Sequence, residues 1–342
     1  MRTVHFFPGG NTAVGFYSCF EDILPLVERK RMFYLKGGPG VGKSTLMRRV
    51  GEAAEKAGLM VEYFHCSSDP ESLDGVSLPE KGIAMIDGTA PHVYDPVVPG
   101  ARDTLLSLGD FLDEAALRPH AREIMTVQSA ISACFQRCYR YLAAARSVSE
   151  AGARGAENPQ KARAAALELS ERMPLRGGVG SVRRLFASAY TPKGVVELPL
   201  GMKETLALEC PFGLHATGFL HELALRAVAR GLQAVELLNP LSPAEIDHLL
   251  LPAHGLAFTT CARAQAEGGE VLKMERVFDC APSDEKALGF DRNAYELLVQ
   301  RALEQLHAAK ALHDELETFY VGNMDFLRWE TMLQGVLVQA EI

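Results

Sequence analysis

The chain repeats itself, and this limits the fold more than any other feature: whatever the first half forms, the second must form again. Phe7-x4-Thr12-x2-Gly15 returns as Phe186-x4-Thr191-x2-Gly194. Leu46, Met47, Val50, Ala54 and Gly58 return as Phe219, Leu220, Leu223, Ala227 and Gly231, and Val61-Glu62-Tyr63-Phe64 as Val235-Glu236-Leu237-Leu238. Pro70, Asp74, Pro79 and Gly82 answer to Pro243, Asp247, Pro252 and Gly255. Each half closes with a long helical stretch, about 121–149 and about 293–320. Their apolar stripes, Ile124, Val127, Ile131, Cys134, Cys138 and Tyr141 in one and Val299, Ala302, Leu306, Ala309, Leu316 and Phe319 in the other, read as packing faces. Pro174, Gly177, Gly178 and Gly180 mark the join. Two domains follow, 1–176 and 177–342, each with a helical extension, and the stretch 157–172 reads as a further helix before the join.

The first half carries Gly37-Gly38-Pro39-Gly40-Val41-Gly42-Lys43-Ser44-Thr45, a complete G-x-x-x-x-G-K-[ST] phosphate-binding pattern. Its chemistry rests on backbone N–H groups turned inward by glycines, which adopt positive φ and place no Cβ in the way. Lys43 supplies a point charge for β- and γ-phosphates, Ser44 a hydroxyl for Mg²⁺, and the helix that begins there its positive end. The flanks agree: Met32-Phe33-Tyr34-Leu35 suits a buried strand, and Leu46, Met47, Val50, Ala53, Ala54 and Ala57 keep helical spacing up to Gly58. Thr45 is expected near the α-phosphate.

After a second strand and a loop, Ile83-Ala84-Met85-Ile86-Asp87 reads as an apolar strand ending in an acid that can join a Mg²⁺ shell. In the second half Cys210, His215 and Ala216 stand where Gly37, Gly42 and Lys43 stand, and Thr260 stands where Asp87 stands. Lysine and acid are lost together, so the second half reads as a nucleotide-binding fold without its nucleotide. Gly88 follows Asp87, where many fast hydrolases have a glutamate. The polar groups expected at the carboxyl edge of the sheet are then Asp69, His65 and His92, to orient the nucleophile or accept a proton. Arg102, Arg183 and Arg184 are candidate transition-state arginines.

Composition narrows the class. With 48% hydrophobic and 23% charged residues the chain reads as a globular protein. A net charge of −8 argues against a general nucleic-acid binder. No run is apolar enough for a membrane span, and the first residues lack a signal-peptide core, so a cytoplasmic location is expected. Seven scattered cysteines without C-x2-C spacing read as free thiols.

Three strings together resemble a family of uncharacterised, tandemly duplicated bacterial P-loop proteins labelled ATPases: the glycine-rich stretch 37–45, His65-Cys66-Ser67-Ser68-Asp69-Pro70-Glu71-Ser72-Leu73-Asp74-Gly75, and Ile86-Asp87-Gly88-Thr89-Ala90-Pro91-His92. Thr191-Pro192-Lys193-Gly194 and Asn323-Met324-Asp325-Phe326 fit as well, so the likeness spans nearly the whole chain. It implies a fold and ATP binding but no physiological substrate. In that family the second half can carry its own P-loop, and this chain departs from the pattern at Cys210, His215 and Ala216. The expectation is an α/β protein of two tandem P-loop NTPase-like domains, each a mostly parallel sheet flanked by helices, the second with a degenerate P-loop. The leading activity is a slow Mg²⁺-dependent ATPase with one site. A nucleotide or small-molecule kinase is the alternative, as is an ATP-dependent switch that changes how the halves, two copies, or a protein partner pack.

Overall fold

The computed structural model describes residues 3–89, 93–153, 155–171, 173, 178–260, 270–281 and 284–342. In the first half the strands are β1 (Thr3–Phe6), β2 (Gly9–Thr12), β3 (Gly15–Ser18), β4 (Arg31–Lys36), β5 (Val61–Cys66), β6 (Asp69–Leu78), β7 (Ile83–Asp87) and β8 (Asp103–Ser107). Helix α1 (Lys43–Lys56) follows β4; the short α2 (Glu114–Leu117) and the long α3 (Ala121–Gly152) come last. Six strands make one sheet in the order β1-β5-β6-β7-β4-β8, in which only β6 runs against the others. Met32–Leu35 of β4 are all buried, as a strand covered on both faces requires.

β9 (Gly155–Glu157) and α4 (Pro159–Ser170) connect the halves. The second half then repeats the plan with β10 (Ser181–Leu185), β11 (Ser188–Thr191), β12 (Gly194–Glu197), β13 (Glu204–Glu209), α5 (Thr217–Ala229), β14 (Gln233–Leu238), β15 (Ile246–Leu251), β16 (Leu256–Thr259) and β17 (Glu270–Lys273). Its sheet order, β10-β14-β15-β16-β13-β17, matches the first strand for strand, with β15 the antiparallel member. β18 (Phe278–Cys280), the long α6 (Glu285–Val321) and α7 (Phe326–Gln339) complete the chain. The architecture is α/β, two six-stranded mostly parallel sheets flanked by helices.

Two details depart from the sequence reading. The stretch after β5, read as a loop, is the ten-residue strand β6; Asp74 and Gly75 interrupt the apolar alternation that would have announced it. The helix expected over 157–172 begins at Pro159, and Glu157 lies in β9.

The halves meet about a local two-fold axis. Phe7 and Phe186, counterparts in the repeat, exchange backbone hydrogen bonds of 2.9 and 3.0 Å, and both side chains are fully buried in a core that draws on both sheets. Arg183 donates to both Glu62 oxygens at 2.9 and 3.0 Å and to the carbonyls of Asp22 and Ile23 across this contact. α3 and α6 pack along each other.

The helical extensions are exchanged. α4 packs on α5 of the second half, with Ala162, Ala165 and Ala166 in the same core as Phe219 and Leu220. α7 returns to the first half, where Trp329, Leu333, Val336 and Ala340 join Val41, Leu46, Met47 and Val50. The connectors are equivalent: Asp325 N–H donates to Phe111 O as Asn158 N–H donates to Val277 O. Each glycine-rich loop or its counterpart is thus roofed by the other half.

Candidate functional site

β4 ends at Lys36 and α1 begins at Lys43, so loop 37–42 lies at the carboxyl edge of the sheet, where α/β folds bind ligands. Gly40 and Gly42 have φ of 69° and 84°, in the left-handed region that favours glycine. Space is a second reason for glycine here. A Cβ on Gly38 would lie 2.9 Å from Tyr320 Cε1, on Gly40 2.8 Å from Val321 Cγ2, and on Gly42 2.9 Å from Trp329 Nε1. The glycines therefore let the end of α6 and the start of α7 close down on the loop. Among the described residues no acceptor lies against the N–H groups of Gly40, Gly42, Lys43, Ser44 or Thr45. They form a set of inward amides at a helix N-terminus, which suits an anion.

β7 lies beside β4 with Asp87 opposite Leu35, which brings the acid to the root of the loop. Lys43 Nζ sits 3.4 Å from Asp87 Oδ2 and donates to the carbonyls of Gly37 (2.7 Å) and Gly38 (2.9 Å). Asp87 Oδ1 accepts from Thr89 N–H at 2.8 Å, and the Thr89 hydroxyl lies 3.1 Å from Gly37 O. Ser44 Oγ accepts from Leu73 N–H at 2.9 Å, tying the loop to β6.

β6 also contributes Asp74, which the sequence reading passed over as a site residue. It is 6% exposed. Burial first, then the charges of Asp87 and Asp69, push its carboxyl up to about 7, against the lowering effects of Cys66 and Lys43. Its signal was an acid in the midst of Leu73-Asp74-Gly75-Val76. Asp74, Asp87 and Ser44 are the oxygen donors from which a divalent cation could be held here, and its charge would relieve the repulsion between buried Asp74 and half-buried Asp87.

The other candidates divide. Asp69 Oδ2 lies 3.5 Å from Lys310 Nζ, and its Oδ1 accepts from Glu71 N–H. His65 is held apart in its own chain, Nδ1 against Pro70 O at 2.8 Å and Nε2 against His5 Nδ1 at 2.9 Å; burial, then the neighbouring His5, lowers its pKa. His92 lies outside the described residues. Arg102, Arg183 and Arg184 are engaged with Asp103, Glu62 and Glu236, so the structure does not bring them to Lys43 and Asp87.

The second half shows what happened to the same geometry. Glu157 accepts from Gly218 N–H at 2.6 Å and from Phe219 N–H at 2.8 Å, so a side-chain carboxylate already covers the start of α5. The equivalent position over α1 is Met324, which pairs with Leu112 as Glu157 pairs with Phe278. His215 lies 3.6 Å from Asp247, the counterpart of Asp74. Burial lowers its pKa, but the hydrogen bond and charge of Asp247 outweigh this and hold it above the ordinary value. Around this loop the positive group is thus His215 and the negative group on the helix start is Glu157. A cavity of about 210 Å³ beside this loop is lined by Cys210, Phe212, Lys273, Glu275 and Arg292.

Among the described residues no helix is long and apolar enough to cross a membrane. Compared with models of protein families, with curated proteins and with solved structures, the chain matches none of them.

Proposed function

We propose that the chain is a Mg²⁺-dependent ATP-binding protein and slow ATPase with one site, in the first half. The observation that carries this is the contrast between the two loops: one joins unpaired amides, Lys43 and Asp87, whereas the other has lost lysine and acid and carries a carboxylate on its helix. In this reading loop 37–45 is a P-loop whose amides and Lys43 hold the phosphates, while Ser44 and Asp87 hold the metal with Asp74 beside them. Mg²⁺, when bound, screens the charge of the phosphates. Asp74, whose carboxyl burial and the charge of Asp87 raise to about 7, would give up its proton as the cation binds, and Asp69 is placed to orient water. Slow turnover follows from the absence of a glutamate after Asp87.

A second reading, an ATP-dependent switch, is favoured by one feature. The roof of the loop, Tyr320, Val321 and Trp329, belongs to the other half, so a ligand in the loop acts on how the halves pack.

The test titrates the protein with ATP and a non-hydrolysable analogue in Mg²⁺, beside Lys43→Ala, by calorimetry and by fluorescence of Trp329, the sole tryptophan. One site per chain, lost in the variant, with slow phosphate release supports the ATPase. Binding with a fluorescence change and no release favours the switch. No binding overturns both.

A further inference from the structure

The long helix α6 belongs to the second half but runs over the mouth of the first-half loop, and its underside there is charged. Glu317 O and Cβ lie 3.4 and 3.5 Å from where a Cβ of Gly40 would stand, so this stretch rests on the loop itself. Lys310 is two turns back on the same face, about 10 Å along the axis. There its ammonium sits 3.5 Å from Asp69 Oδ2 and hydrogen-bonds Asp314. Asp69 in turn acts on Asp74, and Asp74 on Asp87 and Lys43. Three acids, Asp87, Asp74 and Asp69, are therefore coupled electrostatically, with Lys43 against the first at 3.4 Å and Lys310 against the last at 3.5 Å.

The other half makes the contrast. α3 lies on the counterpart loop as α6 lies on loop 37–45: Ser149 O and Ala153 meet Gly213 as Glu317 and Val321 meet Gly40. In that register Lys310 corresponds to Leu142 and His313 to Ala145, both fully buried in an apolar cluster. At these two places the polar side chains lie over the loop that keeps its lysine, and apolar ones over its counterpart. A lysine on a flexible four-carbon stem can leave one carboxylate for a stronger anion without moving the helix.

We propose that Lys310, delivered by the second half, contacts the terminal phosphate of a nucleoside triphosphate held by loop 37–45 and so distinguishes triphosphate from diphosphate. The inference rests on the ATP-binding reading above. Burial pulls the Lys310 ammonium down, but the hydrogen bond of Asp314 and the charge of Asp69 outweigh it, so the group is charged at neutral pH. His313 and Glu317 share the face and set the polarity of the surroundings.

The experiment compares Mg²⁺-ADP with a Mg²⁺-bound non-hydrolysable ATP analogue on the full chain, as wild type, Lys310→Ala and Lys310→Arg, with Lys43→Ala as the reference for loss of all binding. The expected wild-type preference for the analogue is about tenfold, the worth of one good charge contact. Lys310→Ala should lower that ratio several-fold while ADP affinity stays within about twofold, and Lys310→Arg should keep part of it. A ratio unchanged in Lys310→Ala overturns the proposal. So does equal weakening of both ligands, which would mean that Lys310 supports the loop rather than reads the phosphate, and so does a wild type without any preference. In each of those cases ATP binding itself stands. A wild type that binds neither nucleotide is the failure of the ATP-binding reading and takes this inference with it.

Discussion

Replacing Asp74 by asparagine should make the ligand-free protein more stable, by an amount that depends on pH. The carboxyl is held at about 7 in the fold, against 3.8 as its ordinary value. The folded state therefore binds a proton that the unfolded state has already released, and stability falls as pH rises through this window. Below about 4 both states are protonated and the group is neutral in effect. Above 7 the full penalty applies, about 4 kcal/mol at 1.36 kcal/mol for each tenfold change in proton affinity. Asparagine keeps the shape and an oxygen that accepts from Cys66, and never ionises. Urea unfolding of wild type and Asp74→Asn should show the variant ahead by about 4 kcal/mol at pH 8 and by less than half of that at pH 5. Mg²⁺ added at pH 8 should narrow the gap, because a cation between Asp74 and Asp87 removes the repulsion that the variant removes chemically. A variant no more stable than wild type at pH 8, or a gap that does not change with pH, would refute the assignment of Asp74 as a buried, strained acid.

Other consequences follow from the contact between halves. Arg183→Met should cost about 3–5 kcal/mol in urea unfolding, since it leaves Glu62, 5% exposed, as a buried carboxylate without its partner; adding Glu62→Met should recover most of the loss. Ending the chain after Gly322 removes Trp329, Leu333, Val336 and Ala340 from the first-half core. At about 1.5–3 kcal/mol for each large buried side chain that is roughly 5–8 kcal/mol, much of a domain's margin. Limited proteolysis should then cut first at β4 and α1, and a truncated chain as resistant as the full one would speak against the exchange of extensions.

The sequence made the duplication legible because equivalent residues recur at fixed offsets, and the strand, loop and helix around Lys43 because their periodicities change from two to 3.6 at the glycines. It also separated Asp87 from Thr260. It hid β6, since Pro70, Asp74 and Gly75 break the alternation, and with β6 it hid the reason Asp74 faces Asp87. His65 looked like a catalytic base by its place at a strand end, and only the structure reveals His5 beside it. The exchange of α4 and α7 lay out of reach for a general reason: an apolar stripe says that a helix is covered, never by which half. Tyr320 and Trp329 escaped notice on the same account, being far along the chain from the loop they cover, as did Lys310 beside Asp69.

The two loops also differ in what the opposite half lays over them. Each loop is completed by the other half, so the residues that decide the fate of a site lie on both sides of the join. Over α1 the second half places Met324 and leaves the amides free; over α5 the first half places Glu157 and covers them. Under α6 lie Lys310 and Glu317; in the matching places under α3 are Leu142 and Ser149. The second loop has no lysine, and above it Leu142 and Ala145 are buried in an apolar cluster. The sheet of the second half has its own part in this: β10 fixes Arg183 on Glu62, β14 and β15 hold α5, and together they set the base from which α6 and α7 reach the first half. The second half is in this sense the frame that carries Tyr320, Val321 and Trp329 over loop 37–42.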